Sequence, residues 1–264
     1  NEGSTVSYPQ GHTAKEFFLA KPVQETDALI NLCKMKTHAL ERVTGGVKNL
    51  YGCISGLHKA KGHTKYTNAD IFARQLIDLN QLIKPRFCVM DGIVAMDGNG
   101  PTSGDPVKMK VLLLGNDPVA IDSVYCHLVH LDPQMVPTNV HGETMGLGTW
   151  REENIRLLTD GGEITMQEAV ERFGNPDFNV DRKKQRGNLW NRFNNGFLRY
   201  FQKKPYIEED KCKKCGVCVE ACPVEGKTLQ FKNGRRKPPV YNYHKCIRCF
   251  CCQEMCPHKA IQVK

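Results

Sequence analysis

No stretch of this 264-residue chain is apolar enough to cross a bilayer. A spanning helix needs about 20 consecutive apolar residues, and the run Val111–Leu114 is only strand-sized. The chain opens on Asn1, without a basic-then-apolar leader, and reads as a fragment or processed form. Helix-turn-helix, zinc-finger and RNA-binding signatures are missing, so nucleic acid is not an expected partner despite a net charge of +9. There is no P-loop and no Gly-x-Gly-x-x-Gly turn, so nucleotide binding does not follow. Acidic residues are scarce at one end. Residues 182–264 hold 6 Asp+Glu against 20 Lys+Arg, whereas residues 1–181 hold 22 against 17. That asymmetry favours an acidic redox partner for the tail, with an anionic membrane surface as the weaker alternative.

Thirteen cysteines in a small secreted chain would suggest disulfides. Their placement argues otherwise. Cys33, Cys53, Cys88 and Cys126 are scattered, while the other nine crowd between Cys212 and Cys256. Gaps of two and three residues are metal-ligand spacing, and the expected setting is reducing and cytoplasmic. Two identical runs emerge, Cys212-x2-Cys215-x2-Cys218-x3-Cys222-Pro223 and Cys246-x2-Cys249-x2-Cys252-x3-Cys256-Pro257. Three thiolates from one tight loop reach three corners of an iron–sulfur cubane, and the fourth cysteine of each run crosses to the other cubane. Cys212, Cys215, Cys218 and Cys256 are therefore expected to hold one [4Fe–4S] cluster. Cys246, Cys249, Cys252 and Cys222 are expected to hold the second. Paired zinc knuckles are the alternative, but the doubled run is far more specific than their C-x2-C pairs. Cys251 is an extra thiol, and only Cys252 preserves the two-residue gap. The tail, Tyr206 to Lys264, resembles the bacterial-type two-cluster ferredoxins and departs from them in a longer stretch, Pro223–Lys245.

Residues 1–181 alternate strand and helix patterns, which predicts an α/β domain with a parallel or mixed sheet. Asp27–Leu32 is an expected strand, followed by a polar loop Lys34–His38. Ala69–Leu79 has helical apolar spacing. Arg86–Met90 reads as a buried strand ending at Asp91, and Val111–Leu114 as another. Asp117 and Pro118 form a helix start, an N-cap followed by proline in the first turn. Residues 182–205 then form a basic aromatic linker, with Trp190, Phe193, Phe197 and Phe201 at three- and four-residue steps. We expect a helix that buries Trp190 and Phe193 against the protein; the other reading is a membrane or partner surface. Residues 206–264 form the small α+β ferredoxin domain.

Polar clusters in the first domain are candidates for chemistry. Lys34, Lys36 and His38 share one short segment, and Gly45-Gly46-Val47-Lys48-Asn49 is glycine-rich with an embedded lysine. Backbone N–H groups in such turns, together with lysines, cradle phosphates or carboxylates. Lys34, Lys36, Lys48 and Asn49 are the expected anion binders, with Asp91, Asp97 and His38 as proton-transfer groups. Ordinary polar loops with turn glycines are the alternative. The stretches Asn31–His38, Thr44–Gly52, Asp91–Asp105 and Asn116–Asp122 resemble the bacterial and archaeal "domain of unknown function 362" family, whose members often carry a two-cluster ferredoxin tail. The family usually has further α/β structure upstream. The resemblance implies a fold but no established reaction. Two functions compete: an iron–sulfur oxidoreductase acting on an anionic organic substrate or cofactor, and a non-catalytic electron carrier whose α/β domain docks a partner enzyme.

Overall fold

Strand β3 (Ile30–His38) shows how local pattern sets the architecture. Asn31, Cys33, Met35 and Thr37 are buried, while Ile30, Leu32, Lys34 and Lys36 point the other way. This two-residue period is that of a half-covered strand. The expected Lys34–His38 loop is thus the second half of a strand, which begins at Ile30 rather than Asp27. Its lysines are polar, but they fall in the outward phase of the alternation. The computed structural model describes residues 2–55, 58–59, 62, 65–66, 68–183, 203–232 and 234–264. Most of the basic aromatic linker, with Trp190 and Phe193, lies outside the described residues.

The central sheet is mixed, as expected. β1 (Gly3–Ser7) and β2 (Glu16–Ala20) form a separate antiparallel hairpin. β3 pairs antiparallel with β4 (Arg42–Thr44) on one edge and parallel with β5 (Phe87–Asp97) on the other. A crossover joins the parallel pair through a short helix, α1 (Gly46–Asn49), and a long one, α2 (Ala69–Ile83). Parallel neighbours require such a crossover. The expected end of the second strand at Asp91 is passed: β5 continues to Asp97, with a register shift opposite Lys34 and Lys36. β7 (Val111–Gly115) pairs antiparallel with the first half of β5, and β6 (Asp105–Val107) with its second half.

One sheet face carries the main core. Met35, Cys88, Met90 and Val111 pack beneath α3 (Pro118–Leu128), which contributes Ile121, Val124, Tyr125 and Leu128. The α3 start forms as expected, since the Asp117 carboxylate accepts from Val119 N and Ala120 N at 2.8 and 3.0 Å. α2 begins at an Asn68 cap and buries Phe72, Leu76, Ile77 and Leu79 in a second core with β1 and β2. The opposite sheet face is bare among the described residues. Ile30, Leu32, Phe87, Leu112 and Leu114 are exposed there, Leu32 by 70%. Helices α4 (Pro137–Thr144) and α5 (Met166–Phe173) flank α3, and β8 (Leu157–Thr159) and β9 (Gly162–Ile164) form an antiparallel hairpin between them in the chain.

The tail repeats one unit twice. β10 (Pro205–Ile207) pairs with β13 (Ile261–Val263), and β11 (Leu229–Gln230) with β12 (Val240–Tyr241). Each cysteine loop leads into one helical turn, α6 (Val217–Glu220) or α7 (Cys251–Glu254). The backbone repeats too. Lys214 and Gly216 in the first loop, and Arg248 and Phe250 in the second, all have φ between 57° and 90°. Left-handed residues at matched positions curl each loop tightly, at a strain that a non-glycine residue accepts only where its surroundings fix the conformation.

Candidate cluster centres and the interdomain junction

The curled loops enclose two hollows. Cys212, Cys215, Cys218 and Cys256 line one. Cys222, Cys246, Cys249 and Cys252 line the other. In each, three cysteines come from one run and the fourth from the other run. Cys218 and Cys252 also share a small apolar cluster with Leu229 and Ile261, which places the hollows side by side. Among the described residues no three His, Cys, Asp or Glu side chains converge closely enough to chelate a single metal ion. Four soft thiolates spread around a hollow fit a multinuclear iron–sulfur cluster better than one zinc ion.

Hydrogen bonds reach three sulfurs of the second hollow, among them Cys222 Sγ, which lies 3.4 Å from Thr228 N and 3.3 Å from Thr228 Oγ1. Tyr241 Oη lies 3.2 Å from Cys252 Sγ and donates when that sulfur is a thiolate. The Cys251 thiol is absent from the lining and bonds to Cys249 instead, lowering the Cys249 pKa while its own rises. Donors to cluster sulfurs favour the more reduced, more negative state. Tyr241→Phe is therefore expected to shift the potential of one cluster negative by tens of mV, given ~59 mV per tenfold change in a one-electron couple. Anaerobic redox titration followed by electron paramagnetic resonance reads that shift.

Helix α7 docks on the α/β domain. The Gln253 side chain is fully buried, and its Nε2 donates to the backbone oxygens of Asn99 and Gly100, both at 2.9 Å. Asn99 Nδ2 donates to Ile261 O at 3.0 Å, and Thr102 Oγ1 to Glu254 O at 3.0 Å. The Gly-Asn-Gly-Pro loop thus grips the ferredoxin domain. Thr37 braces it from β3, donating to Gly98 O and accepting from Gly100 N. Gln253→Leu leaves these acceptors buried and unsatisfied, worth ~1–3 kcal/mol. Hydrogen exchange over residues 98–104 should accelerate about 10-fold or more, measured by mass spectrometry on the cluster-loaded protein.

His38 sits in the same junction. Its Nδ1 accepts from Leu40 N and Glu41 N, so the proton of the neutral ring is on Nε2, which lies 2.8 Å from Glu254 Oε1. Burial and the nearby Lys48 push the His38 pKa down to about 4. A neutral ring held at both nitrogens is a domain-to-domain link at neutral pH, and its expected proton-transfer role is not supported. Around it lie Lys48, Lys59, Tyr51 and Glu41. Burial and Lys48 lower the Lys59 pKa. Glu41 is fully buried, neither carboxylate oxygen has a hydrogen-bond partner among the described residues, and burial raises its pKa to about 8.

The other expected site residues separate. Lys34 Nζ pairs with Asp91 Oδ2 at 2.5 Å on the bare sheet face, and this hydrogen bond holds the Asp91 carboxyl below its usual range. Lys36 lies between Lys34 and His38 on the same strand face. Asn49 Nδ2 donates to Asn31 Oδ1 and Leu32 O, tying α1 to β3. Asp97 accepts from Asn179 N at 2.7 Å, beside the docking loop. The Gly45-Gly46 turn does cradle a carboxylate, but an internal one. Gly46 N and Val47 N donate to the Asp122 carboxylate at 2.6 and 3.1 Å. A Cβ at Gly45 would lie 2.1 Å from Asp122 Oδ1, so only glycine allows this approach. Among the expected site residues two pairs form, His38 with Lys48 nearby and Lys34 with Asp91. Glu41, Tyr51, Gln253 and Glu254 were missed; none has a local signal, because each matters through a contact distant in sequence.

These features define an iron–sulfur electron-transfer protein whose ferredoxin domain is docked on a mixed α/β domain. Comparison with known proteins agrees. Residues 1–127 match the family described as Domain of unknown function (DUF362), and residues 204–257 match a 4Fe-4S dicluster domain. The chain is similar to the thylakoid-associated protein sll1697 of Synechocystis sp., at 39% identity over 149 residues, which are 56% of this chain and 46% of that protein. The chain thus matches less than half the length of that relative. No solved structure matches significantly. No helix among the described residues is long and apolar enough to cross a membrane.

Proposed function

We propose that the protein is an iron–sulfur oxidoreductase whose reaction site is the junction between the α/β domain and the second cysteine loop. One observation carries this reading. Ionisable side chains, among them His38, Glu41, Lys48 and Lys59, gather in and around the junction, beside the helix that bears Cys251 and Cys252. His38, Glu41 and Lys48 are buried; ionisable groups taken out of water destabilise a fold, and where they cluster they mark functional sites. Two [4Fe–4S] clusters, one on Cys212, Cys215, Cys218 and Cys256 and the other on Cys246, Cys249, Cys252 and Cys222, would supply single electrons. Lys48 and Lys59 provide positive charge for an anionic organic substrate, and protonated Glu41 provides a proton. The reducing cytoplasmic setting inferred from the cysteines suits such clusters.

The test is anaerobic. Dithionite-reduced, cluster-loaded protein is exposed to a panel of carboxylated and phosphorylated oxidants, and bleaching of the cluster absorbance is reversed by a substrate. Lys48→Ala is expected to lose reoxidation by the active anion while retaining reoxidation by neutral benzoquinone. If no small anion reoxidises the wild type faster than the Lys48→Ala protein, the site reading is wrong. The electron-carrier reading then stands, and one observation favours it: the Lys34–Asp91 pair and the Asp122 carboxylate occupy groups that an anion would need.

A further inference from the structure

A second concave surface lies on the ferredoxin domain, away from the junction. Its hollow holds about 680 Å³ between the start of β10, the β11–β12 hairpin and the loop before Cys246. Lys204, Lys227, Lys232, Lys245 and Arg248 line it, and no Asp or Glu does. Lys232 and Lys245 are exposed. Tyr241 lines the hollow and touches Cys252 Sγ at 3.2 Å. Thr228 lines both this hollow and that of the second cysteine set. An occupant would rest one side chain away from a cluster sulfur.

We propose that this basic hollow docks an acidic electron-transfer protein, which exchanges single electrons with the clusters through the Tyr241–Cys252 wall. This rests on the electron-transfer reading above and names its partner surface. Charge and shape select the class: five basic side chains and no acid line the hollow, which suits an acidic partner. A bilayer is flat on this scale and meets a concave wall only at the rim, whereas a protein protrusion fills it. A basic wall raises the encounter rate with an anionic partner by about 10- to 1,000-fold, an effect that falls off with salt. In the step itself the reduced cluster loses one electron and the acceptor gains one; no bond forms or breaks.

The experiment uses the cluster-loaded chain, reduced anaerobically and freed of reductant. Stopped-flow mixing measures its oxidation by an acidic blue-copper protein, by basic cytochrome c and by neutral benzoquinone. Lys204→Glu/Lys232→Glu reverses charge on two walls without touching a residue adjacent to a cluster cysteine, and Lys204→Gln/Lys232→Gln neutralises it more gently. The acidic acceptor should react faster at low salt and lose about 10-fold or more in rate with the Glu pair and about 3-fold with the Gln pair. Cytochrome c should gain, and benzoquinone should not change. Equal rates for the acidic acceptor in all three proteins would overturn the docking surface while leaving electron transfer intact. If the substitutions abolish binding to phosphatidylglycerol vesicles without altering the acidic acceptor's rate, the surface is a membrane face and the protein partner is wrong. If benzoquinone also fails to reoxidise the reduced wild type, the electron-transfer reading falls and this surface falls with it.

Discussion

Cys252→Ser is expected to reduce the iron content from about eight atoms per chain to about four, whereas Cys251→Ser keeps about eight. The two residues are adjacent and both buried, so burial does not separate them. Position does. Cys252 lines the second hollow with Cys222, Cys246 and Cys249, and Cys251 does not. Neighbours on a single helical turn point in different directions, so only one of them can face the hollow. Cys251 instead sends its thiol to Cys249 and its field to Tyr51 across the junction. Serine at 251 keeps a hydrogen-bond donor for the Cys249 sulfur. Alanine at 251 should also keep both clusters but shift one potential negative, in the same sense as Tyr241→Phe. Anaerobic iron and sulfide analysis with visible absorbance decides the outcome. Equal iron loss in the two serine variants would mean that the chain uses Cys251 as readily as Cys252. A zinc-dominated protein without charge-transfer absorption would refute the cluster assignment altogether.

The cysteine runs were legible because ligand chemistry dictates spacing within a few residues, and nothing distant needs to be known. Helix α3 was legible for a similar reason, since Asp117 and Pro118 act within one turn. Strand β3 was half legible. Its lysines occupy the outward phase of a two-residue period, and polarity concealed the period. The Gly45-Gly46 turn shows a different failure. Its N–H groups do bind a carboxylate, as the glycines imply, but Asp122 supplies it from 76 residues away along the chain. No local pattern distinguishes an internal anion from an external one. The docking loop has the same character: Asn99, Gly100 and Thr102 meet the chain's own Gln253 and Glu254, more than 150 residues away. Buried Glu41 left no trace in the sequence, because its significance is the absence of a partner in three dimensions.

Glu41→Gln is expected to stabilise the protein at pH 8 by on the order of 4 kcal/mol and to remove most of its loss of stability above pH 7. The folded-state pKa is about 8, against 4.5 for the free carboxyl, and burial is the largest cause. Between those values the native state holds a proton that the unfolded chain has released. Stability contributed by that proton is fully present below about pH 4.5 and is lost as pH rises through 8. Glutamine mimics the protonated form at every pH, so its advantage grows across this window. Two other groups shape the curve. Asp122, with its pKa raised to about 7 by burial, acts in the same sense but is spent by pH 7. His38 acts in the opposite sense: its pKa of about 4 lies below the free value of 6.5, so its contribution is lost as pH falls from 6.5 to 4. Above pH 7 the Glu41 contribution therefore stands alone among these three. Urea unfolding of the cluster-loaded protein, followed by intrinsic fluorescence at pH 7 to 9, should show the wild-type midpoint falling with pH and the Glu41→Gln midpoint nearly flat. Parallel curves for the two proteins would show that the carboxyl ionises freely, and Glu41 would then have no proton to offer at the junction.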